Sequence, residues 1–379
     1  FPVKQTLRND SILVLDMGQN LAGYPEITVQ GESGQRIRII PGETLDKDGL
    51  VNQRQTGRPH YYTYTLKGYI EKGPHGQLSV VKETWHPRFS YYSFRYLQIE
   101  GDIDVLKKVE SCFIYNSAPR TGSFECSNER INKTHQLIDR AIRSNWQAVW
   151  TDCPSREKLG WLEQDWLNGE ALVYNYDARY MIEQTMQNIV DAQHEDCSMP
   201  EIAPEYTQFT GPYTEPFRES PEWGGAIIAL PMLFWQHYGD LSLADKHYDA
   251  MKRYLAYLSS KDSCFILKMG LGDWYDYGKG KAGFSKNTPM PLVSTAHYYQ
   301  WMCYMYVLAK HLGHKQDAEL FNLRADSIRH AFNRAFYDAK RKTYATGSQC
   351  ALSLALYLKL VPEGDYQAVA KALERATLN

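Results

Sequence analysis

The segment with the densest set of reactive side chains runs from Thr151 to Trp166. It holds four carboxyl groups, one guanidinium group and two indoles: Asp152, Glu157, Glu163, Asp165, Arg156, Trp161 and Trp166. Such a set suits carbohydrate chemistry, because one carboxyl group can protonate a leaving oxygen, another can bind hydroxyls or activate water, and an indole can cover a sugar ring. The same composition also fits a polar helix N-terminus, where carboxylates offset the helix dipole and Arg156 forms salt bridges. The residues alone leave both interpretations open.

The elements before this segment are predicted to form a β-sandwich domain over residues 1–118. Short β-branched or aromatic runs are separated by Gly, Pro, Asn and Asp clusters, at spacings typical of a sandwich. Two of these runs, 36–39 and 62–66, alternate apolar and polar residues with the period of a half-buried strand. The predicted strands are 12–15, 26–29, 36–40, 61–66, 92–99 and 109–115.

After Pro119 the period becomes helical, which predicts an all-α second domain over residues 119–379. Ser220 followed by Pro221 predicts a helix start, and Gly239 predicts the end of that helix. The loops at 150–162, 196–219 and 261–292 are long enough to be functional or mobile. About nine helices are predicted, near 127–149, 163–177, 179–195, 220–238, 241–260, 293–312, 315–335, 347–360 and 364–377.

Two of these helices have a predicted apolar face. In the first, Ser127 is the expected N-cap. Its face is formed by Ile131, Thr134, Ile138, Ala141, Asn145 and Val149. In the helix after Asp317 the stripe consists of Leu320, Leu323, Ala325, Ile328, Ala331, Phe332 and Phe336.

Composition excludes several classes of protein. The net charge is −2, from 42 Lys and Arg against 44 Asp and Glu, so binding to nucleic acid through phosphate neutralisation is not expected. The longest apolar run, 226–235, is far shorter than the ~20 residues of a membrane span. Seven Cys without a CxxC pair and eleven His without HxH or HExxH spacing predict neither a disulfide framework nor a metal site, and no cofactor is implied.

The run DCPSREKLGWLEQ at 152–164 strongly resembles the signature of bacterial α-L-rhamnosidases, glycoside hydrolase family 78. Further resemblances follow in the family's order. They are DMGQN with Gly23, FSYYSFRYLQIEG at 89–101, Pro200-Glu201 with Pro204, SPEWG at 220–224, GDW at 272–274 and LVPE at 360–363. The resemblance covers essentially the whole chain, and it implies a β-sandwich domain followed by an (α/α)6 barrel.

The resemblance also implies a reaction and roles for particular residues. The family hydrolyses terminal α-L-rhamnosyl groups with inversion, and the Glu that follows Arg in the signature, here Glu157, would be the general acid. A neighbouring carboxylate such as Asp152 could keep that acid protonated. By the same resemblance Asp152 and Arg156 would bind rhamnose hydroxyls, and Trp161 would form a wall of the subsite.

Other positions are less determined. Many relatives carry Asp where this chain has Gln164, so Glu163 is expected to take the hydroxyl contacts. Trp274 is expected to form an opposite aromatic wall, and Asp273 to orient it or to touch substrate. Tyr206 and Trp223 could contact sugar or simply pack. Glu222 is explained by the helix dipole alone.

The family barrel has twelve helices, and its general base is a Glu in a late loop motif that does not occur here. We therefore expect a fragment of a larger enzyme, with about nine of twelve helices and the base beyond Asn379. Carbohydrate is the expected partner, with neither nucleic acid nor membrane, and a homodimer is left open. The resemblance implies a bacterial protein, periplasmic or cytoplasmic.

Two other functions remain open at this point. A non-catalytic rhamnose-binding or assembly module would bind sugar without hydrolysis. A different (α/α)6 enzyme, such as a trehalase-like hydrolase or a polysaccharide lyase, would act on another sugar, and the DCPSRE segment disfavours it.

Overall fold

The computed structural model describes residues 1–57, 59–210, 217, 219–278, 280 and 282–378, except for the side chain of Arg8. The chain divides into two compact units, which are described separately. The first comprises residues 1–118 and 123–159, and the second comprises 119–122 and 160–379. A division at residue 118 was predicted from the sequence. In the structure the contacts group 123–159 with the first unit.

The first unit is built on an antiparallel sheet of seven strands, with path order β1-β2-β10-β3-β6 and with β9 and β11 also paired to β2. The described strands are β1 (Lys4–Asn9), β2 (Ile12–Val29), β3 (Arg36–Gly42), β4 (Thr44–Leu45), β5 (Val51–Asn52), β6 (Tyr62–Thr65), β7 (Ile70–Lys72), β8 (Leu78–Val80), β9 (Glu83–Trp85), β10 (Tyr92–Gly101) and β11 (Leu106–Phe113), with β12 (Tyr337–Asp338) and β13 (Thr343–Tyr344) in the second unit.

Strand β2 is the organising element of this sheet. The predicted strands 12–15 and 26–29 are the two ends of this one strand. Its first part pairs with β1 and β10, and its second part pairs with β9 and β11. Gly23 lies where the partner changes, and a Cβ there would come within 1.9 Å of the Cys112 carbonyl oxygen. Only glycine allows this approach of two backbones.

The alternation of polar and apolar residues at 36–39 corresponds to alternating exposure and burial along β3. Ile37 and Ile39 are fully buried, whereas Arg36 is exposed and Arg38 half-buried. These two Ile side chains join an apolar core contributed by β2, β6 and β10. The prediction of a sheet-rich first region is confirmed.

The helix at the end of this unit, α1 (Glu129–Asn145), differs from its prediction. Asn128, not Ser127, is the N-cap, and its side chain accepts a hydrogen bond from the Arg130 N–H. Ile131 and Ile138 are half exposed, whereas Ile142 is buried. The predicted buried face was wrong, because periodicity locates an apolar stripe but not the partner that covers it.

The second unit is helical. The helices are α2 (Leu162–Leu167), α3 (Gly169–Asn175), α4 (Arg179–Asp191), α5 (Pro221–Gly224), α6 (Ala226–Tyr238), α7 (Ser242–Lys246), α8 (Tyr248–Lys261), α9 (Met290–Leu312), α10 (Lys315–Phe336), α11 (Gln349–Tyr357) and α12 (Tyr366–Leu378). Three predicted helices are each divided in two, at Asn168, Gly225 and His247. A helical second region is confirmed.

Several helix ends lie where the local sequence predicted them. Ser220 and Pro221 begin α5, and Gly239 ends α6 at a φ of 67°. Gly225, between α5 and α6, has no room for a side chain, because a Cβ would lie 2.1 Å from the Trp301 ring. In α10 the predicted stripe is partly correct, since Ile328 and Phe332 are buried and Leu320 is exposed.

Candidate active site

The signature segment is anchored in the first unit at the end of α1. The Thr151 N–H donates to the Asn145 carbonyl, and its hydroxyl contacts the Asn145 side chain at 3.0 Å. A bridge between Trp146 and Trp150 closes the turn before it. The segment 151–159 therefore starts from a fixed backbone position.

Asp152, Arg156 and Glu157 form one charged cluster in this segment. The Arg156 Nε donates to Glu157 Oε2 at 2.5 Å, and its Nη2 lies 3.3 Å from Glu157 Oε1. The same Nη2 lies 3.4 Å from Asp152 Oδ2. One guanidinium therefore orients both carboxyl groups, which is the geometry that favours Arg over Lys at such sites.

The two carboxyl groups of the cluster interact electrostatically, which changes the pKa of Asp152. Burial, and then the charge of Glu157, raise the pKa of Asp152 to about 6. The hydrogen bonds to Glu157 raise the pKa of Arg156 above its ordinary value. Since two neighbouring carboxylates resist ionising together, this pair can retain one proton close to neutral pH.

Lys158 fixes the backbone directly after Glu157. Its φ is 55°, an unusual conformation for a residue with a side chain. Its Nζ donates to the Tyr91 carbonyl at 2.7 Å and lies 4.3 and 4.5 Å from the ring centres of Tyr91 and Tyr92. Burial lowers the pKa of this amine. These contacts tie the backbone next to Glu157 to the loop that precedes β10.

Asp152, Cys153 and Glu157 also place their oxygen and sulfur atoms within 4.8 Å of one another. Such a group has the composition of a metal site, which the spacing of His and Cys in the sequence did not predict. Burial raises the pKa of the Cys153 thiol, so the sulfur is not presented as a thiolate. Arg156 already supplies positive charge to both carboxyl groups. The protonated thiol and the Arg156 cation both disfavour a metal ion at this cluster.

The second half of the signature belongs to the second unit. Trp161 precedes α2 and pairs with Ile202 in a β-bridge. The Leu162 N–H donates to the Glu201 carbonyl, and the Ala203 N–H donates to the Gly160 carbonyl. Two chain segments about forty residues apart in sequence thus fix the position of Trp161.

Trp161 and Trp274 belong to one aromatic group, together with Phe209 and Phe217. Trp161 stacks on Phe209 at a centroid distance of 5.3 Å and lies 6.0 Å from Phe217. Phe217 meets Trp274 edge to face at 5.1 Å. Trp274 also lies against Gly283, where a Cβ would clash with its ring at 2.6 Å. The structure brings the two predicted aromatic walls together through Phe217.

The remaining predicted residues have different surroundings. Glu163 accepts a hydrogen bond from the Gln164 side chain at 2.6 Å. Tyr206 is 56% exposed, and its hydroxyl bonds to the Gly160 backbone. Asp273 accepts a hydrogen bond from the Thr288 hydroxyl at 3.2 Å. Trp223 is only 5% exposed, so it presents no open ring face and its packing interpretation fits the structure.

Several buried titratable groups of the second unit were not predicted to matter. Glu201 is 1% exposed, and its Oε1 accepts the Ser220 N–H at 2.6 Å. Burial raises the pKa of Glu222 to about 8. Burial, and then the charge of Glu163, raise the pKa of Asp165. In the sequence, Asp165 and Glu222 are carboxyl groups close to helix starts and Glu201 lies in a long loop, so nothing indicated that these groups would be buried.

Comparison with known proteins then decides the family. The family model for the bacterial alpha-L-rhamnosidase 6 hairpin glycosidase domain matches residues 119–378. The chain belongs to the bacterial α-L-rhamnosidases. A second model of this family, for the concanavalin-like domain, matches residues 6–115 of this rhamnosidase chain.

Individual relatives agree with this assignment. An alpha-L-rhamnosidase of Formosa agariphila is 30% identical over 97% of this chain and 39% of its own length. The solved alpha-L-rhamnosidase of Dictyoglumus thermophilum has a TM-score of 0.87 and 31% identity, over 99% of this chain and 41% of that one. The Streptomyces avermitilis enzyme, solved in complex with L-rhamnose, has a TM-score of 0.85 and 27% identity, over 99% and 34%.

The chain thus spans less than half the length of these relatives. Within the described residues of the rhamnosidase chain, no helix has the length and apolar character needed to cross a membrane.

Proposed function

We propose that this chain carries the general acid of an inverting exo-α-L-rhamnosidase, and that the acid is Glu157. The observation that supports this proposal is the cluster in which Arg156 bonds to both Glu157 and Asp152. An acid catalyst must hold a proton near neutral pH and must be oriented. The carboxyl pair meets the first requirement, and the guanidinium meets the second.

The chemistry follows from the charge balance of the cluster. Glu157 donates the proton of the pair to the glycosidic oxygen as the bond from the anomeric carbon to that oxygen breaks. Water attacks the opposite face of the rhamnosyl ring and gives its proton to a base. Asp152, whose pKa is raised to about 6 by burial and by the charge of Glu157, holds this proton beside Glu157 and passes it to Glu157 as Glu157 protonates the leaving oxygen.

We propose the substrate contacts that the resemblance implies. Trp161 and Trp274 cover the apolar face of rhamnose, and Asp152 with Arg156 binds its hydroxyls. Glu163, Tyr206 and Asp273 are further candidates for hydroxyl contacts. Trp223 is not included, since the structure buries its ring.

We also propose the finer architecture of the two regions. The helices of 119–379 form part of an (α/α)6 barrel, in agreement with the description of the matched 6 hairpin glycosidase domain. The sheet of residues 1–118 belongs to a β-sandwich domain, although its hydrogen bonds link it as one seven-stranded sheet.

The test replaces Glu157 with Gln in the full-length natural protein. Release of rhamnose from an aryl rhamnoside is expected to fall ~10²–10⁴-fold, the usual contribution of a positioned proton donor. The loss should shrink for dinitrophenyl rhamnoside, because that leaving group needs no proton. Glu319→Gln is the matched control, because Glu319 is exposed on α10.

Two outcomes would contradict the proposal. Activity of Glu157→Gln within tenfold of the unmutated protein would remove Glu157 from the acid role. Rhamnose binding by calorimetry without any hydrolysis by the unmutated protein would instead favour the non-catalytic binding module.

A further inference from the structure

The residue that follows the proposed acid has a backbone conformation that side chains disfavour. Lys158 has a φ of 55°, in the left-handed region. A residue other than glycine stays in this region only where the surrounding structure holds it there, and such residues are concentrated at functional sites. The contacts that hold Lys158 therefore bear on Glu157, the residue directly before it.

The Lys158 side chain is held by the loop that precedes β10. Its Nζ donates to the Tyr91 carbonyl at 2.7 Å. The same ammonium group lies 4.3 Å from the ring centre of Tyr91 and 4.5 Å from that of Tyr92, within the range of a cation–π interaction. Because Lys158 is partly buried, salt screens these contacts less than it would on an open surface.

The partners of Lys158 are anchored in the sheet of the first unit. Tyr92 is the first residue of β10, and it pairs with Gly23 of β2. The Tyr92 ring stacks on His60 at a centroid distance of 3.8 Å and lies 5.8 Å from the Tyr62 ring. Tyr62 belongs to the buried core of this unit. Lys158 therefore connects the signature segment to the sheet.

The charged partners of the Glu157 carboxyl group do not supply such a connection. Arg156 is adjacent to Glu157 in sequence, and its side chain is 50% exposed. Asp152 lies five residues before Glu157, in the same segment. Contacts with these two residues set the direction of the carboxyl group within the segment. They do not set the position of the segment relative to the sheet.

Cys153 couples the backbone of Glu157 to that of Lys158. Its sulfur accepts the backbone N–H groups of both residues. At the start of the segment, the Thr151 N–H donates to the Asn145 carbonyl at 3.0 Å. Because two consecutive peptide groups share one acceptor, a displacement of Lys158 also displaces the peptide group of Glu157.

We propose that Lys158 is a positioning residue for the acid, and that it holds the Glu157 carboxyl group at the leaving oxygen by tying the signature segment to Tyr91. The proposal rests on the acid role proposed above for Glu157. A displacement of about 1 Å can cost a reaction about 10²-fold in rate. Loss of this tie should therefore slow the step that needs the acid and leave substrate binding unchanged.

The experiment replaces Lys158 with Met in the full-length natural protein. Met keeps the apolar stem of the side chain and has neither an N–H donor nor a charge. For phenyl rhamnoside, whose leaving group needs a proton, kcat should fall ~10–100-fold while KM stays within about threefold. For dinitrophenyl rhamnoside, whose leaving group needs none, kcat should stay within about threefold.

Three further variants complete the series. Lys158→Arg keeps a charged donor and should bring kcat for phenyl rhamnoside to within about fivefold of the unmutated protein. Lys158→Gln has its donor on a shorter side chain and should behave like Lys158→Met, which it replaces should the Met variant not fold. Lys133→Met removes an exposed Lys from α1 and should leave both substrates unaffected.

The two substrates separate positioning from folding. A smaller folded fraction lowers the rates with both substrates equally, so equal losses would show that Lys158 only stabilises the fold, and the proposal would be overturned. No loss with either substrate would overturn it as well. An Arg variant as slow as the Met variant on phenyl rhamnoside would show that the charged contact with Tyr91 does not position the acid.

These results are distinguishable from failure of the proposed function. If Glu157→Gln lost no more activity on phenyl rhamnoside than on dinitrophenyl rhamnoside, the acid role itself would be wrong. A selective loss in Glu157→Gln without one in Lys158→Met would leave the acid role in place and overturn only the positioning role of Lys158.

Discussion

The Arg156 guanidinium pairs with the carboxyl groups of both Glu157 and Asp152, and this pairing influences the protonation of the two groups. The hydrogen bonds from Arg156 to Glu157 are shorter than the contact between Arg156 and Asp152. Asp152 is the more buried and less closely paired of the two carboxyl groups, which favours its neutral form within the pair. Burial and the charge of Glu157 raise the pKa of Asp152 to about 6, from 3.8.

This shift predicts a pH-dependent stability. A carboxyl group with a raised pKa in the folded state keeps its proton there, while the unfolded chain releases it, so its contribution to the free energy of unfolding falls as pH rises from about 4 through 6. Asp152→Asn should remove this loss, which is on the order of 2 kcal/mol. Relative to the unmutated protein, the variant's Tm should therefore rise between pH 4 and pH 7.

The comparison needs a carboxylate control in the same unit. Asp104→Asn changes an exposed group near β11 and should leave the pH profile of Tm unchanged. A constant difference in Tm between Asp152→Asn and the unmutated protein across this pH range would show that Asp152 keeps its ordinary titration.

At the scale of elements, Glu201 joins the starts of two helices. Its carbonyl accepts the N–H of Leu162, the first residue of α2, and its carboxyl group accepts the N–H of Ser220, the N-cap of α5. The carbonyls of α5 in turn accept the indole N–H groups of Trp301 and Trp166. Short α5 is thus held by side chains from three different parts of the chain.

This network predicts contrasting effects of two changes at Glu201. Burial, and then the charge of Glu222, raise the pKa of Glu201 well above its usual range, which favours its neutral form in the folded protein. Glu201→Gln keeps the acceptor for Ser220 and should cost little at pH 5 and become relatively stabilising as pH rises. Glu201→Ala removes the carboxyl acceptor of the Ser220 N–H and creates a cavity, at a cost of about 2–4 kcal/mol.

Chemical denaturation of both variants at pH 5 and pH 8 measures these effects. Glu319→Gln on the surface of α10 is the reference for an exposed Glu. Equal destabilisation by Gln and by Ala would show that the negative charge of Glu201, not its shape, is what the fold requires.

At the scale of the whole molecule, the two halves of the signature segment belong to different compact units. The Glu157 cluster belongs to the first compact unit, and the aromatic group of Trp161 and Trp274 belongs to the second. The rhamnosidase chain covers 39% of its Formosa agariphila relative. The proposed hydrolysis is therefore to be tested on the full-length natural protein.

Inversion makes a prediction at this scale. Inverting glycosidases separate their two carboxyl groups by ~6.5–9.5 Å so that water fits between the base and the sugar. The first product formed from an α-L-rhamnoside should then be β-L-rhamnose. Proton NMR in the first minutes, before mutarotation, distinguishes it from the α-anomer, and initial release of the α-anomer would rule out inversion.

The sequence by itself determined the family, the signature residues, the sheet-then-helix order and the features set by local chemistry. The alternation in β3, the Ser220-Pro221 start and the Gly239 end depend on neighbouring residues only, so they were predictable. Tertiary structure alone decided that Ile131 and Ile138 face outward and that β2 is continuous. It also decided that Glu201 is buried and that Phe217 joins Trp161 to Trp274. The physical reason is that periodicity fixes which side chains share a face, whereas burial, pKa and aromatic contact depend on chain segments tens or hundreds of residues away.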